Sequence, residues 1–239
     1  MLRSVIHTLY GLYFWAVTVI CTLTALVLVA VLPDQTTRRK AASKAAGSLF
    51  RLTGSWPNVS GLAHLPRQAS VAVANHASYL DGILLIAVLP HRYQFVVKKE
   101  VTRLPLVHFM LRRLGVHFVD RFDPHQGATD ARKILNAASQ GGSLAFFPEG
   151  TFRVESGLGR FRNGAFTIAS RNSMPVVPIV IHGTRKMLPA NRLLPRPALL
   201  GVTITPALNN GAPITDVRAA LEQSRQQILQ HLDETERSD

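Results

Sequence analysis

His76 and Asp81 stand five positions apart in the run NHASYLD, which begins at Asn75 directly after the apolar run SVAVA. On one continuous helix that spacing turns two side chains about 140° apart, at 3.6 residues per turn. They meet only if His76 lies in the turn before a helix and Asp81 in its first turn. Ser78-x-x-Asp81 is a capping pattern that places a helix start there. A carboxylate on one imidazole nitrogen fixes the tautomer and leaves the other nitrogen free to take a proton, which is the chemistry of a general base. The plainer reading of the same stretch has Ser78 and Asp81 capping a helix, with His76 a bystander.

Three further runs hold residues of chemical interest. FPEGT (Phe147–Thr151) sets a carboxylate, a glycine and a hydroxyl in a turn, and glycine lets backbone N–H groups approach an anion; an ordinary turn with a solvated Glu149 has the same letters. GVHFVDR (Gly115–Arg121) is a strand ending in an acid and a base, and the planar fork of Arg121 suits phosphate as well as a structural ion pair. VPIVIHG (Val177–Gly183) is an apolar strand closed by glycine, either a pocket wall or plain core. His91, His108 and His125 stand outside these patterns and read as surface or packing residues. The single cysteine, Cys21, excludes a disulfide framework and a cysteine-rich metal site.

These runs must be held by something. From Ser70 onward, short β-rich stretches (Ser70–Ala74, Gln94–Val97, Val116–Val119, Ser143–Phe147, Val176–Ile181, Leu199–Leu208) alternate with helical patterns. The helices are expected at Leu80–Leu89, Leu104–Leu114, Gly127–Gln140, Gly164–Asn172 and Ile214–Leu232, the last capped by Thr215 or Asp216. Such alternation predicts an α/β fold with a mostly parallel central sheet flanked by helices. Ligand groups in such sheets gather where strands end, as these runs do.

Ahead of that region, no formal charge falls between Arg3 and Asp34, more than the length a spanning helix needs. Tyr10, Tyr13 and Trp15 cluster near the start of this stretch as interfacial aromatics do, and Arg38, Arg39, Lys40, Lys44 and Arg51 follow it. Leu32–Pro33–Asp34 is no small-residue cleavage site, so a retained N-terminal membrane-anchoring helical segment is expected instead of a signal peptide. The basic flank predicts a catalytic part on the cytoplasmic side; the membrane expected is a bacterial inner membrane. A single crossing and a helical hairpin within one leaflet both fit. The division expected is an anchor at 1–33, a connecting segment at 34–69 and a catalytic domain at 70–239. The net charge of +13 calls for a polyanionic partner. Scattered basic residues and only 7% aromatics argue against a stacking platform for nucleic acid and leave a phospholipid membrane.

In their order and spacing, these blocks resemble the glycerolipid acyltransferase family that includes the 1-acylglycerol-3-phosphate acyltransferases. NHASYLD is similar to its N-H-x-x-x-x-D block, GVHFVDR to its second, FPEGT to its third and VPIVIHG to its fourth. FVVKKEV (Phe95–Val101) resembles the family's Lys-containing strand end, and GLGRFRNGAF (Gly157–Phe166) the segment after its third block. The resemblance covers about Ser70 to Gly183, and an N-terminal anchoring segment is common in the family. One position departs. Many members read E-G-T-R-S, whereas Phe152 follows Thr151 here and arginine arrives one place later, at Arg153.

The resemblance implies transfer of an acyl chain from acyl-CoA or acyl-ACP, a co-substrate, to a lysolipid hydroxyl, with no cofactor and no metal. His76 would be the base, Asp81 its partner, and Lys98 the donor to the thioester oxygen, with backbone N–H groups in competition for that last role. Asn75, Glu149, Gly150 and Thr151 would hold the acceptor head group, and Arg121 or Arg153 its phosphate, with Arg160 and Arg162 also candidates. The acceptor implied is 1-acyl-glycerol-3-phosphate, giving phosphatidic acid; glycerol-3-phosphate, another lysophospholipid or a lyso-aminolipid are the alternatives. A hydrolase using Ser78 lacks the G-x-S-x-G elbow. A purely basic membrane-surface binder accounts for the charge and the anchor but not for the His–Asp arrangement.

Overall fold

Four residues, Val71–Ala74, form the centre of the molecule because every one of them is buried on a strand whose side chains alternate between two faces. Ala72 and Ala74 point into one apolar cluster, and Val71 and Val73 into another. In the computed structural model, which describes residues 2–120, 123–152 and 154–232, this strand is β2 of a seven-stranded sheet. The others are β1 (Asn58–Ser60), β3 (Tyr93–Lys98), β4 (His117–Val119), β5 (Ser143–Phe146), β6 (Val176–His182) and β7 (Gly201–Ile204). Their order across the sheet is β1-β7-β6-β2-β5-β3-β4. β7 runs antiparallel to β6, and β1 lies parallel to β7. The five strands from β6 to β4 are therefore parallel, as expected, and their C-terminal ends share one rim.

Helices cover both faces. On the Ala72/Ala74 side lie α1 (Leu2–Val31), α2 (Gln35–Leu52) and α3 (Leu80–Val88), contributing Phe14, Val17, Leu49, Phe50, Leu84 and Leu85 to the core. On the Val71/Val73 side lie α5 (Pro124–Ser139), α6 (Gly164–Arg171) and α8 (Val217–His231), contributing Ile134, Phe166 and Ile228. α4 (Pro105–Arg113) packs against α1 and the helical turn Lys99–Arg103, and the single turn α7 (Thr184–Met187) follows β6. Asp123 caps α5 by accepting from the N–H groups of His125 and Gln126. With Pro124 at the first helical position, that cap starts α5 ahead of the Gly127 that periodicity alone suggests. Asp216, one of the two expected caps, accepts from Arg218 and Ala219 at the head of α8.

The segment between the apolar helix and residue 70 contributes to the body. Its α2 returns antiparallel to α1, and its β1 closes one edge of the sheet in register with β7, Val59 opposite Val202. α1 is long and apolar enough to cross a membrane, and only 22% of its apolar window is buried. It carries no basic residue in its last turn, so its orphan carbonyls are served from other elements. Arg113 donates to Val29 and Ala30, and Arg38 to Leu32 and Pro33.

Candidate active site

The parallel rim gathers what the sequence singles out. Beyond the end of β2, the chain leaves the sheet at Asn75, whose side chain continues the ladder toward β6. Its Oδ1 accepts from the Ile181 N–H at 2.7 Å and its Nδ2 donates to the Ile181 carbonyl at 3.0 Å. Asn75 is buried, so both its amide groups serve the scaffold. The next residue, His76, then turns back over α3. Its Nδ1 lies 2.8 Å from Asp81 Oδ2. Because a carboxylate only accepts, Nδ1 is the protonated nitrogen and Nε2 carries the lone pair. Nε2 has no hydrogen-bond partner among the described residues, and the side chain is 16% exposed.

Asp81 does more than orient the ring. The same Oδ2 accepts from the backbone N–H groups of Ala77 at 2.6 Å and Ser78 at 2.8 Å. The capping expected of Ser78-x-x-Asp81 thus takes a particular form, the aspartate reaching back to the turn while Ser78 Oγ accepts from the Leu80 N–H. Asp81 is fully buried and its Oδ1 has no hydrogen-bond partner among the described residues. A buried carboxylate so placed can offset positive charge on the ring beside it.

Glu149 enters from β5, the neighbouring strand. Phe147 to Gly150 form a turn, with the Gly150 N–H donating to the Phe147 carbonyl and Gly150 in the left-handed region at φ 77°. That turn aims the Glu149 carboxylate at two backbone amides. Oε1 accepts from His76 N–H and Oε2 from Gly159 N–H, both at 2.7 Å. Glu149 is only 9% exposed and pins the histidine turn to the 157–159 segment. Two phenylalanines complete the setting: Phe147 stacks on the His76 ring at 4.3 Å, and Phe152 meets it edge-on at 4.7 Å. Tyr79 packs in turn against Phe152.

Thr151 lies exposed on the same turn. Lys98 is exposed at the end of β3, opposite Val119 and two strands from β2 along the rim. Asp120, after β4, accepts from Lys99 at 3.1 Å. Arg160 and Arg162 are exposed on the segment beyond Gly159. Arg121 and Arg153 fall outside the described residues. No group of three metal-ligating side chains occurs among the described residues.

A family sequence model described as Acyltransferase matches residues 57–182, from just ahead of β1 to the end of β6. The chain belongs to the acyltransferase family. It is 36% identical over 134 residues to a chloroplast 1-acyl-sn-glycerol-3-phosphate acyltransferase of Brassica napus, covering 55% of this chain and 39% of that protein. A chloroplast counterpart from Arabidopsis thaliana is 34% identical over 134 residues, covering 55% and 37%. The chain thus spans about two fifths of the length of these relatives. The crystal structure of the LPA acyltransferase PlsC from Thermotoga maritima has the same fold, with a TM-score of 0.78 at 22% identity over 95% of this chain and 94% of that one.

Within this member of the acyltransferase family the sequence reading missed several contacts. Ser78 Oγ donates to the Leu188 carbonyl at 2.7 Å, tying the histidine turn to the segment after α7. Arg185 of α7 donates to the Glu155 carbonyl and steadies the 152–160 segment from the far side. The stack of Phe147 and Phe152 on His76 had one visible signal, a phenylalanine at each end of FPEGTF. Nothing in the local sequence announces that Glu149 reaches the His76 amide.

Proposed function

We propose that this chain is an O-acyltransferase that moves an acyl group from acyl-CoA or acyl-ACP to a lysophospholipid hydroxyl. The preferred acceptor is 1-acyl-glycerol-3-phosphate and the product phosphatidic acid. The observation that carries the reading is the His76–Asp81 pair, with Nε2 open, at the parallel rim of an acyltransferase-family domain. The names of the relatives support the acceptor.

The acceptor hydroxyl gives its proton to His76 Nε2 as its oxygen bonds to the thioester carbonyl carbon. The carbonyl oxygen becomes an oxyanion, which Lys98 or backbone N–H groups stabilise. The oxyanion collapses, the C–S bond breaks, and the thiolate takes the proton back from His76. An ester and a free thiol result. Asp81 holds the tautomer and offsets the imidazolium charge. Asn75 and Glu149 act by positioning, given where their polar atoms lie. Gly150 and Thr151 remain next to the acceptor, with Arg121 or Arg153 on its phosphate. Phe152, standing at His76 where relatives of this pattern carry arginine, favours a second reading in which the acceptor is another lysophospholipid or a lyso-aminolipid.

Both substrates carry acyl tails, and α1 supplies the route to them. α1 is docked along its length, with Phe14 and Val17 in the core and its end held by Arg113. If it stood across a bilayer, α2 with Lys40 and Lys44 would have to enter the hydrocarbon beside it, at several kcal/mol per charge. α1 therefore lies in one leaflet, its exposed stripe of Val5, Leu9, Leu12, Val19, Leu23 and Val27 among lipid tails and α2 toward the headgroups.

The test is transfer of labelled acyl groups to a panel of lysolipids. His76→Ala should lower turnover about 10²–10⁴-fold, the contribution of a positioned base. Undiminished transfer in that variant would remove the base. Product on a different acceptor alone would replace the substrate and keep the mechanism.

A further inference from the structure

The loop from Pro189 to Leu200 is unusual in what it exposes. Leu193 is 86% and Leu199 96% exposed, more than any other large apolar side chain among the described residues. The loop is nevertheless well tied down. Trp15 Nε1 of α1 donates to the Leu193 carbonyl at 2.7 Å, and the Arg196 N–H to the Met187 carbonyl at 2.9 Å. Gly11 of α1 comes so close to Leu194 that a methyl group there would meet its Cβ at 2.8 Å. Leucines held outward on a fixed loop, against the helix read as lying in a leaflet, are placed for a solvent other than water.

Between this loop and the first turns of α1 is an open groove of about 540 Å³, lined by Ser4, His7, Thr8, Asn191, Arg192 and Arg196 among others. Among the described residues no carboxylate lines it. Partial desolvation, then the positive charge of Arg196, pushes the Arg192 guanidinium below its ordinary range. Two guanidinium forks beside hydroxyl and amide groups, with no acid to answer them, match an anion with several acceptor oxygens.

We propose that this groove binds the phosphate of an anionic phospholipid headgroup, one with no choline or ethanolamine cation to answer its charge, with Arg192 and Arg196 as its ligands and Leu193 and Leu199 immersed among the acyl chains. The inference rests on the in-leaflet reading of α1. It names a second, separate contact with the membrane, one that is selective for anionic lipid. The contact is also linked to the chemistry, because Leu188, at the root of the loop, accepts the Ser78 hydroxyl from the histidine turn. A lipid bound here would hold the rim against the surface from which a lysolipid is drawn.

The test compares the purified full chain with an Arg192→Gln/Arg196→Gln variant on vesicles of phosphatidylcholine alone and of phosphatidylcholine mixed with phosphatidylglycerol. Wild type should bind both and prefer the anionic vesicles. The double variant should match wild type on phosphatidylcholine, and lose about 30-fold of the gain on anionic vesicles, from two basic side chains near the surface. Inorganic phosphate at constant ionic strength should not displace the protein. A fluorophore on Leu193→Cys in a Cys21→Ser background should be quenched by lipids bearing a quencher in the upper chain. Equal preference in wild type and variant, displacement by phosphate, or an unquenched fluorophore overturns the site while leaving α1 as an anchor. No vesicle binding by wild type overturns the membrane reading itself. Matching thermal melts for wild type and variants keep misfolding from imitating a result.

Discussion

Glu149 illustrates how a residue's type and its position can point to different work. Resemblance assigns it to the acceptor's head group, but its oxygens accept the backbone N–H groups of His76 and Gly159. If its work is positioning, Glu149→Gln sets an amide N–H against one of those donors and shifts the base without touching the substrate. Turnover should then fall at least about 10-fold, since sub-ångström misplacement of a base is costly, while the KM for the acceptor changes little. A variant whose defect lies in KM would return Glu149 to the head group. Asp81 gathers three donors on one oxygen in the same way. The residue scale is thus one of backbone amides held in place by two buried carboxylates, with an imidazole set among them.

Elements decide whether that imidazole stays in register. Asn75 couples the exit of β2 to Ile181 of β6 and has no backbone substitute, because the strand has already ended. Asn75→Ala leaves the Ile181 N–H and carbonyl buried without that partner. It should cost about 2–6 kcal/mol in chemical denaturation, on the usual penalty of about 1–3 kcal/mol for each unsatisfied buried group; a loss below about 1 kcal/mol, on the same scale, would show that the turn holds by other means. At the far edge, His117 of β4 donates to Gln94 of β3 at 2.9 Å. Burial, and then the charge of Arg39, depresses its pKa below 6.5. The unfolded chain then takes up the proton first as pH falls, so the folded state loses stability below about pH 6.5 until His117 itself protonates. Thermal melts should decline over that window, and His117→Gln should flatten the decline. An identical pH slope in the variant would remove His117 as its source.

At the scale of the whole molecule, the question is how an α/β body meets a bilayer. With α1 docked on the core and α2 returning beside it, the proposed in-leaflet placement puts both ends of α1 on one side of the membrane. Cysteines placed at Ser4 and at Asp34, each in a Cys21→Ser background, should therefore react with an impermeant maleimide from the same side of sealed vesicles. Labelling from opposite sides would establish a crossing, and the docked arrangement of α1 would have to open in the membrane.

The parts of this protein that the sequence determined are those that rest on local rules. Alternating apolar letters set the buried strands, because a strand's side chains alternate with period two. His76 and Asp81 meet because a capped turn brings residues five apart together, and no distant element is needed for that. The long uncharged stretch before Asp34 likewise announces its helix by length and composition alone. Tertiary structure decided everything that depends on which strands are neighbours. The parallel pairing of β2 with β5, Val73 opposite Phe146, is what delivers Glu149 and Phe147 to His76 from more than seventy residues away. The pairing of β7 with β1 recruits Asn58–Ser60 from a stretch whose letters suggest only a connection. The docking of α1 onto the core, and of the 189–200 loop onto α1, follows from side chains meeting across the fold. Such contacts form only after the chain has closed long loops, and their cost and reward belong to the assembled sheet, beyond the reach of any short window of sequence.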